Sequence, residues 1–450
     1  MVDVAVIGAG ALGLAAARRL AAGGARVTLF EREQRPGGLA AGVQIGPSWL
    51  DKFYHHIFGT DRRMIELVGE LGLDRRLVWG RPPTALLSKG EIRRLDGVLE
   101  VLKFSPLSFP ARVRMGLAVA ALKAIPNPNW LEGQTAARWL RRWMGREAYE
   151  VVWKPQLVGK FGSEAERIAM PWMWARIHDR TPQLGYLRGG FQLLYDAIAD
   201  DIERRSGRIR LGRAVSSIER RGDALHIESD GETGRFDAVL CTLPTRLFLR
   251  LTRGLPNGYA DRFSTGADHF SAHCVVLELD RSLQSAYWLS IADPGYPFLA
   301  LVEHTNWLPP EEYGGRHLVY LGNYLPPDHE LFTLPDEQVL ARLLPHLTRI
   351  NPNFDRSWVK AAHVFAAPYA QPIVRVGYRR QLPPHRTPVD GLWLANMGHV
   401  YPHDRGQNYS ILLGEKVADR MLAEPGVGGA TGAAPPAVQR LPASQARRMA

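Results

Sequence analysis

Glycines at fixed spacing, an acid one strand later and a second glycine pair open the chain, and together they could hold a dinucleotide. Gly8-Ala9-Gly10-Ala11-Leu12-Gly13 directly follows the apolar run Val4-Ala5-Val6-Ile7. In such a turn Gly8 permits the bend, Gly10 lets the backbone close on a pyrophosphate, and Gly13 lets helix and strand pack closely. Ala11 and Leu12 begin the helix, whose free N–H groups and partial positive charge face the phosphates. Arg26 to Phe30 reads as the second strand, and Glu31, with Arg32 beside it, lies 18 residues after Gly13. That is where a carboxylate binds ribose hydroxyls.

Titratable side chains gather at further places. His55 and His56 could act as acid or base beside a cofactor, or stand as hydrogen-bonded loop histidines. Tyr401, His403, Asp404 and Arg405 precede the last helical segment. Of these groups His56, Tyr401 and Arg405 are the expected catalytic residues. Lys154 and Lys160 could reach a cavity, although a solvated charge and a structural ion pair is the simpler reading. No metal ligand set is expected, because Cys241 and Cys274 are the only cysteines and lie far apart.

The elements that must position these residues come in alternating blocks. Met64 to Leu71 has helical spacing, closed by Gly72. From about 76 to 184 the strand–helix alternation stops, and a Trp- and Arg-rich insertion follows with helices expected over 111–125 and 135–152. Its tryptophans read as core. The nucleotide-fold pattern returns at Leu187-Arg188-Gly189-Gly190-Phe191 with a helix over 191–205. Val215 to Ile218, Ala224 to Glu228 and Phe236 to Thr242 read as a β-meander. Alternation between 270 and 365 predicts a second, antiparallel sheet, with a helix over 336–347. A short strand at 391–396 and a helix over 408–422 close the fold, and a disordered Gly/Ala/Pro-rich tail is expected over 424–450. The fold class is therefore α/β: a discontinuous Rossmann-like domain from 1–75, 185–245 and 385–423. The segments 76–184 and 246–384 form a substrate-binding cap of mixed sheet and helices.

With 450 residues, 46% of them hydrophobic, a sizeable core is available. The formal charge of +11 favours anionic partners such as nucleotides, phosphorylated substrates or acidic lipids, or reflects an Arg-rich proteome. Basic runs interleaved with aromatics are absent, which argues against nucleic acid. No apolar run approaches the ~18 residues of a spanning helix. The reading places the chain in the cytoplasm. Segment 111–125 sets Met115, Ala118, Leu122 and Ile125 on one face with Arg112, Arg114 and Lys123 around it. Such a helix either packs on its own core or touches the inner face of a membrane peripherally.

Glu31 to Gly38 narrows the cofactor, since a glycine pair soon after the ribose acid lets the chain turn back along an elongated dinucleotide such as FAD. Here the chain resembles the large FAD family containing flavin amine oxidases, protoporphyrinogen oxidases, phytoene desaturases and, more distantly, UDP-galactopyranose mutases. The matching motifs are the glycine turn, Glu31 with Gly37-Gly38, Gly189-Gly190-Phe191-Gln192, the strand end from Asp237 to Pro244, and 391–422. They cover nearly the whole chain up to the tail. The resemblance implies FAD contacts at Gly8, Gly10, Ala11, Leu12 and Gly13, at Glu31 and Arg32, at Gly38 and Leu39, and at Val215. It adds Asn396, Met397, Asn408 and Tyr409 near the C-terminus. Leu39 replaces the arginine usual in amine oxidases, and Asn396-Met397 replaces a Gly-Asp. No cysteine stands near 395–410, so the FAD is expected to be noncovalent. His56-Ile57-Phe58-Gly59-Thr60 looks like the mutase segment beside the flavin, whereas Gly190-Phe191-Gln192 is more like protoporphyrinogen oxidases.

With no second glycine fingerprint, no NAD(P)H domain is expected. The implied function is an FAD-dependent oxidoreductase taking hydride from a largely apolar or cyclic small molecule. The alternatives are a flavin-dependent mutase acting on a sugar nucleotide, or a flavin-binding scaffold without catalysis.

Overall fold

The computed structural model describes residues 1–404 and 406–424. Arg405 and the tail from residue 425 onward, on which two of the expectations fall, lie outside the described residues. Five short strands form a parallel sheet in the order Arg208–Arg210, Arg26–Phe30, Asp3–Ile7, Ala238–Cys241 and Leu392–Leu394. Ala238–Cys241 and Leu392–Leu394 are fully buried apolar runs, as strands covered on both faces must be. Segments far apart in sequence therefore meet in one sheet. Helices Ala11–Ala22, Gln192–Arg204 and Gln407–Leu422 pack on the face of the sheet that carries Val4 and Val6, and the meander packs on the other, against Ala5 and Ile7. The first and last of them cross so closely that a Cβ on Gly414 would sit 2.3 Å from the carbonyl oxygen of Leu12.

The second sheet has seven strands, in the order Val359–Pro372, His269–Leu279, His317–Leu325, Ala300–Glu303, Trp288–Ile291, Thr84–Ser88 and Glu91–Arg94. It is mixed, because Trp288–Ile291 runs parallel to Thr84–Ser88. That strand and its hairpin partner come from the insertion. Lys89 and Gly90 both adopt positive φ, +56° and +78°, to make the two-residue turn between them. Lysine is an unusual occupant of such a position, so the hairpin carried none of its usual Asn-Gly or Asp-Gly signal.

Two further expectations are corrected. The stretch from Phe236 to Thr242 is divided: Glu232–Phe236 completes the meander, and Ala238–Cys241 enters the parallel sheet beside the opening strand. Its unbroken apolar character suits burial on both faces rather than one. The helix expected over 135–152 breaks at Gly145, which adopts φ +92°, after Ala136–Trp143. A π-helical stretch, Tyr149–Trp153, then leads into helix Lys154–Phe161.

Helix Phe109–Lys123 buries Met115, Ala118 and Leu122 against a second core, formed mainly by the insertion around Tyr149, Phe161 and Trp172. Of the two readings of this apolar face, packing on the protein's own core is the one the structure shows. Another stripe is exposed instead: Phe109 at 62%, Val113 at 37% and Leu117 at 68%. Of the insertion's tryptophans, Trp139, Trp172 and Trp174 are core, whereas Trp130 and Trp143 are exposed. Among the described residues no helix is long and apolar enough to cross a membrane.

Candidate functional site

A cavity of about 1060 Å³ runs from the glycine turn to the wall made by Trp288, Leu299 and Tyr324 of the second sheet. At its first end the glycines have separate jobs. A Cβ on Gly13 would lie 1.9 Å from the carbonyl oxygen of Gly8, so Gly13 is dictated by packing. A Cβ on Gly10 would meet nothing within 4 Å, and Gly10 lines the cavity. Its missing side chain thus keeps open a cradle against bare backbone. Gly37 bridges back onto Gly10, and its N–H donates to the carbonyl of Ala9 at 2.8 Å. The two glycine motifs are therefore one continuous surface.

Glu31 lies where the second strand ends, its carboxylate accepting from the N–H groups of Ala9 at 2.7 Å and Glu33 at 2.9 Å. Helices Ala11–Ala22 and Gln407–Leu422 both begin at the cavity, without a side-chain cap and without an acid in the first turn. Their free N–H groups and partial positive charges suit anionic groups. Gln407 accepts a hydrogen bond from the Tyr195 hydroxyl, while its buried Nε2 has no partner among the described residues. These features fit a dinucleotide with phosphates at the glycine turn and a hydrogen-bonding ring system toward Gln407.

Of the expected cofactor contacts, Gly8, Ala11, Leu12, Arg32, Gly38, Leu39, Val215, Met397 and Tyr409 also line the cavity. Asn396 lines it too, but its amide is engaged elsewhere. It donates to the carbonyl of Leu243 at 3.0 Å and the hydroxyl of Thr245 at 3.1 Å, and accepts from the N–H of Gly398 at 3.0 Å. Asn408 does not line it: its side chain accepts from the N–H of Met64 at 3.0 Å and ties the closing helix to helix Arg62–Glu70.

The expected catalytic residues fare unevenly. His56 lines the cavity, edge-on to Phe58 with ring centres 4.8 Å apart. Burial first, then Arg180 and His55, push its pKa down to about 3. The ring is neutral near pH 7, with one N–H and one acceptor nitrogen and no imidazolium proton to give. Tyr401 is not a cavity residue: it lies in the second core and donates to Glu132 at 3.1 Å. Lys154 pairs with Glu150 at 2.6 Å, away from the cavity.

The cavity's charge comes from Lys160 and Asp404, which the sequence reading named, together with Asp61, Arg176, Asp179 and Arg180, which it did not. Asp404 takes Lys160 at 3.0 Å, Arg176 at 2.9 Å and the indole N–H of Trp172 at 3.1 Å. Burial opposes its ionisation, yet Lys160 and Arg176 hold its pKa at about 2. Asp179 accepts from His403 at 2.7 Å and Tyr409 at 2.8 Å, and the latter two rings stack at 3.9 Å. Asp61, pushed up to about 6 chiefly by burial, is another carboxylate of the cavity wall. The available signal was Arg176, Asp179 and Arg180, charged residues gathered at the end of the apolar Trp-rich run Met170 to Ala175.

Comparison with known proteins agrees with this architecture. The family model for flavin containing amine oxidoreductase matches residues 13–422. The chain is 24% identical to the 15-cis-phytoene desaturase of Solanum lycopersicum over 459 residues, covering 94% of this chain and 78% of that protein. A putative protoporphyrinogen oxidase structure from an Exiguobacterium species superposes with a TM-score of 0.72 at 17% identity, over 93% of this chain and 98% of the other. Reduced UDP-galactopyranose mutase also superposes at 0.72, with 15% identity, over 94% and 96% of the two chains. The chain belongs to the flavin-containing amine oxidoreductase family and is a flavin-dependent oxidoreductase.

Proposed function

We propose that the chain binds FAD noncovalently and oxidises a largely apolar or cyclic small molecule between its two sheets. The observation that carries this is the continuous cavity, which begins at an open glycine cradle and ends at an aromatic and aliphatic wall. Bound FAD would supply a hydride acceptor. Gly10 and the start of helix Ala11–Ala22 would hold its phosphates, and Glu31 its ribose hydroxyls. The uncapped end of helix Gln407–Leu422 would stabilise negative charge as it develops nearby. Neutral His56, with Phe58 and Trp288, shapes an apolar floor and excludes water.

The test is anaerobic mixing of the FAD-loaded chain with a porphyrinogen, a polyisoprenoid, an amine and a sugar nucleotide, following flavin absorbance. Bleaching by one of the first three supports the reading. A sugar nucleotide that bleaches nothing but binds the dithionite-reduced chain would replace it with a mutase.

The exposed stripe Phe109, Val113 and Leu117 supports a peripheral membrane contact, because it falls at helical spacing and is flanked by Arg112, Arg114 and Lys123. Apolar anchors among basic residues suit an anionic lipid surface. Co-sedimentation with anionic vesicles at low salt is expected, and Leu117→Glu is expected to weaken it about tenfold or more. Equal recovery of both proteins, or recovery of neither, contradicts the contact.

A further inference from the structure

Three cationic side chains, Lys160, Arg176 and Arg180, line the cavity around Asp404, with Asp61 and Asp179 also on its wall. Asp404 forms ion pairs with Lys160 and Arg176. The Arg180 guanidinium makes no hydrogen bond or ion pair among the described residues and lies over the face of Phe58 at 5.9 Å. Burial, joined by repulsion from Arg176, pushes its pKa down to about 9, and the nearby Asp404 carboxylate offsets this only in part. A guanidinium held this way is costly unless an anion joins it.

Its backbone, by contrast, is pinned on both sides. The carbonyl of Arg180 accepts from Lys123 at 3.3 Å, and that of Asp179 accepts from the Thr60 hydroxyl at 2.6 Å. The hydroxyl of Thr181 accepts from the N–H of Gly59 at 3.0 Å. The loop is fixed while the fork at its tip is left open, which is the arrangement of a prebuilt recognition group. The cofactor's phosphates are accounted for by the glycine turn, which Arg180 does not touch. Around the remaining space stand Phe53, Trp288, Ile291 and Leu299.

We propose that Arg180 is an anion-recognising subsite, and that the substrate is an amphipathic molecule whose apolar body lies along the second sheet and whose carboxylate or phosphate group pairs with this guanidinium. The planar fork matches either oxyanion through two parallel N–H donors. The proposal rests on the oxidoreductase reading for the word substrate, but the subsite itself does not depend on turnover.

Calorimetric titration of the full chain, FAD-loaded and FAD-free, with decanoate, decyl phosphate and decan-1-ol tests it. At least one anion should bind about tenfold or more tightly than the alcohol, and the tighter anion identifies the head group. Arg180→Gln should erase that margin while the alcohol's affinity stays, and Arg180→Lys should keep part of it. Equal affinity for alcohol and anions in the unaltered chain overturns the proposal without any variant, as does a margin that survives Arg180→Gln. A margin seen in a chain that takes up no FAD would leave the subsite standing and remove the oxidoreductase reading. Bleaching by a neutral substrate with no margin would do the reverse.

Discussion

Gly10→Val is expected to yield a chain that folds normally and fails to retain FAD. The position of its Cβ is open space, with no atom within 4 Å, so the added side chain starts into the cavity and melting should change little. Its methyls would occupy the cradle against which a pyrophosphate must lie, and the phosphate would lose charge-assisted contact with backbone N–H groups. A loss of affinity of about hundredfold or more follows from two such bonds. Gly13→Ala tests the opposite assignment. Its Cβ would fall 1.9 Å from a backbone oxygen, which cannot rotate away as a side chain could. Opening that helix–strand contact should cost about 3 kcal/mol, near the top of the range for overpacking a core. Circular dichroism melts with flavin-fluorescence titration separate the two variants. A Gly10→Val chain that binds FAD as the parent does would remove the phosphates from this turn.

The second large effect lies at Asp404. Asp404→Ala would leave Lys160, 8% exposed at its side chain, and Arg176, 17% exposed, facing each other without their shared carboxylate. Breaking a buried pair by removing one partner typically costs about 3–5 kcal/mol. Urea denaturation should show a loss of that size, and a loss below about 1 kcal/mol would mean the cluster is solvated. The pH dependence has a definite sign. An ordinary aspartate near 3.8 is here held at about 2. The folded state therefore binds the proton less readily than the unfolded state. The stabilisation is fully present above about pH 4 and is lost as pH falls toward 2. Comparing the parent with Asp404→Asn across that window isolates the contribution, because the variant has no carboxyl to titrate there.

Much of the nucleotide end was legible because its signals are local. Gly8 to Gly13, Glu31 and Gly37-Gly38 each need a backbone geometry that few other residues allow, so residue type and spacing carried the information. Asn396 and Asn408 show the limit of motif position. Both stand where cofactor contacts belong, yet their amides are engaged by Leu243, Thr245 and Gly398 in one case and Met64 in the other. Apart from Gly398, two residues on, those partners lie 151 to 344 residues away in sequence, and no local pattern announces them. Tyr401 was misplaced for the same reason, since its partner Glu132 belongs to the insertion. The charged cluster was not legible as a unit: Lys160, Arg176 and Asp404 come from separate segments and only packing brings them within 3.0 Å. Sequence pattern did mark helix Phe109–Lys123 as amphipathic, but it named the face that turned out to be internal. Telling the inner stripe from the outer one requires knowing which neighbour covers it.

The account depends most on FAD lying noncovalently in the cavity between the two sheets. The direct measurement is to load the purified chain with FAD, remove the excess, denature it in acid and quantify the flavin released. The prediction is one FAD per chain, all of it in the supernatant, and none from Gly10→Val. A chain that takes up no flavin, or flavin that stays with the precipitated protein, would contradict it.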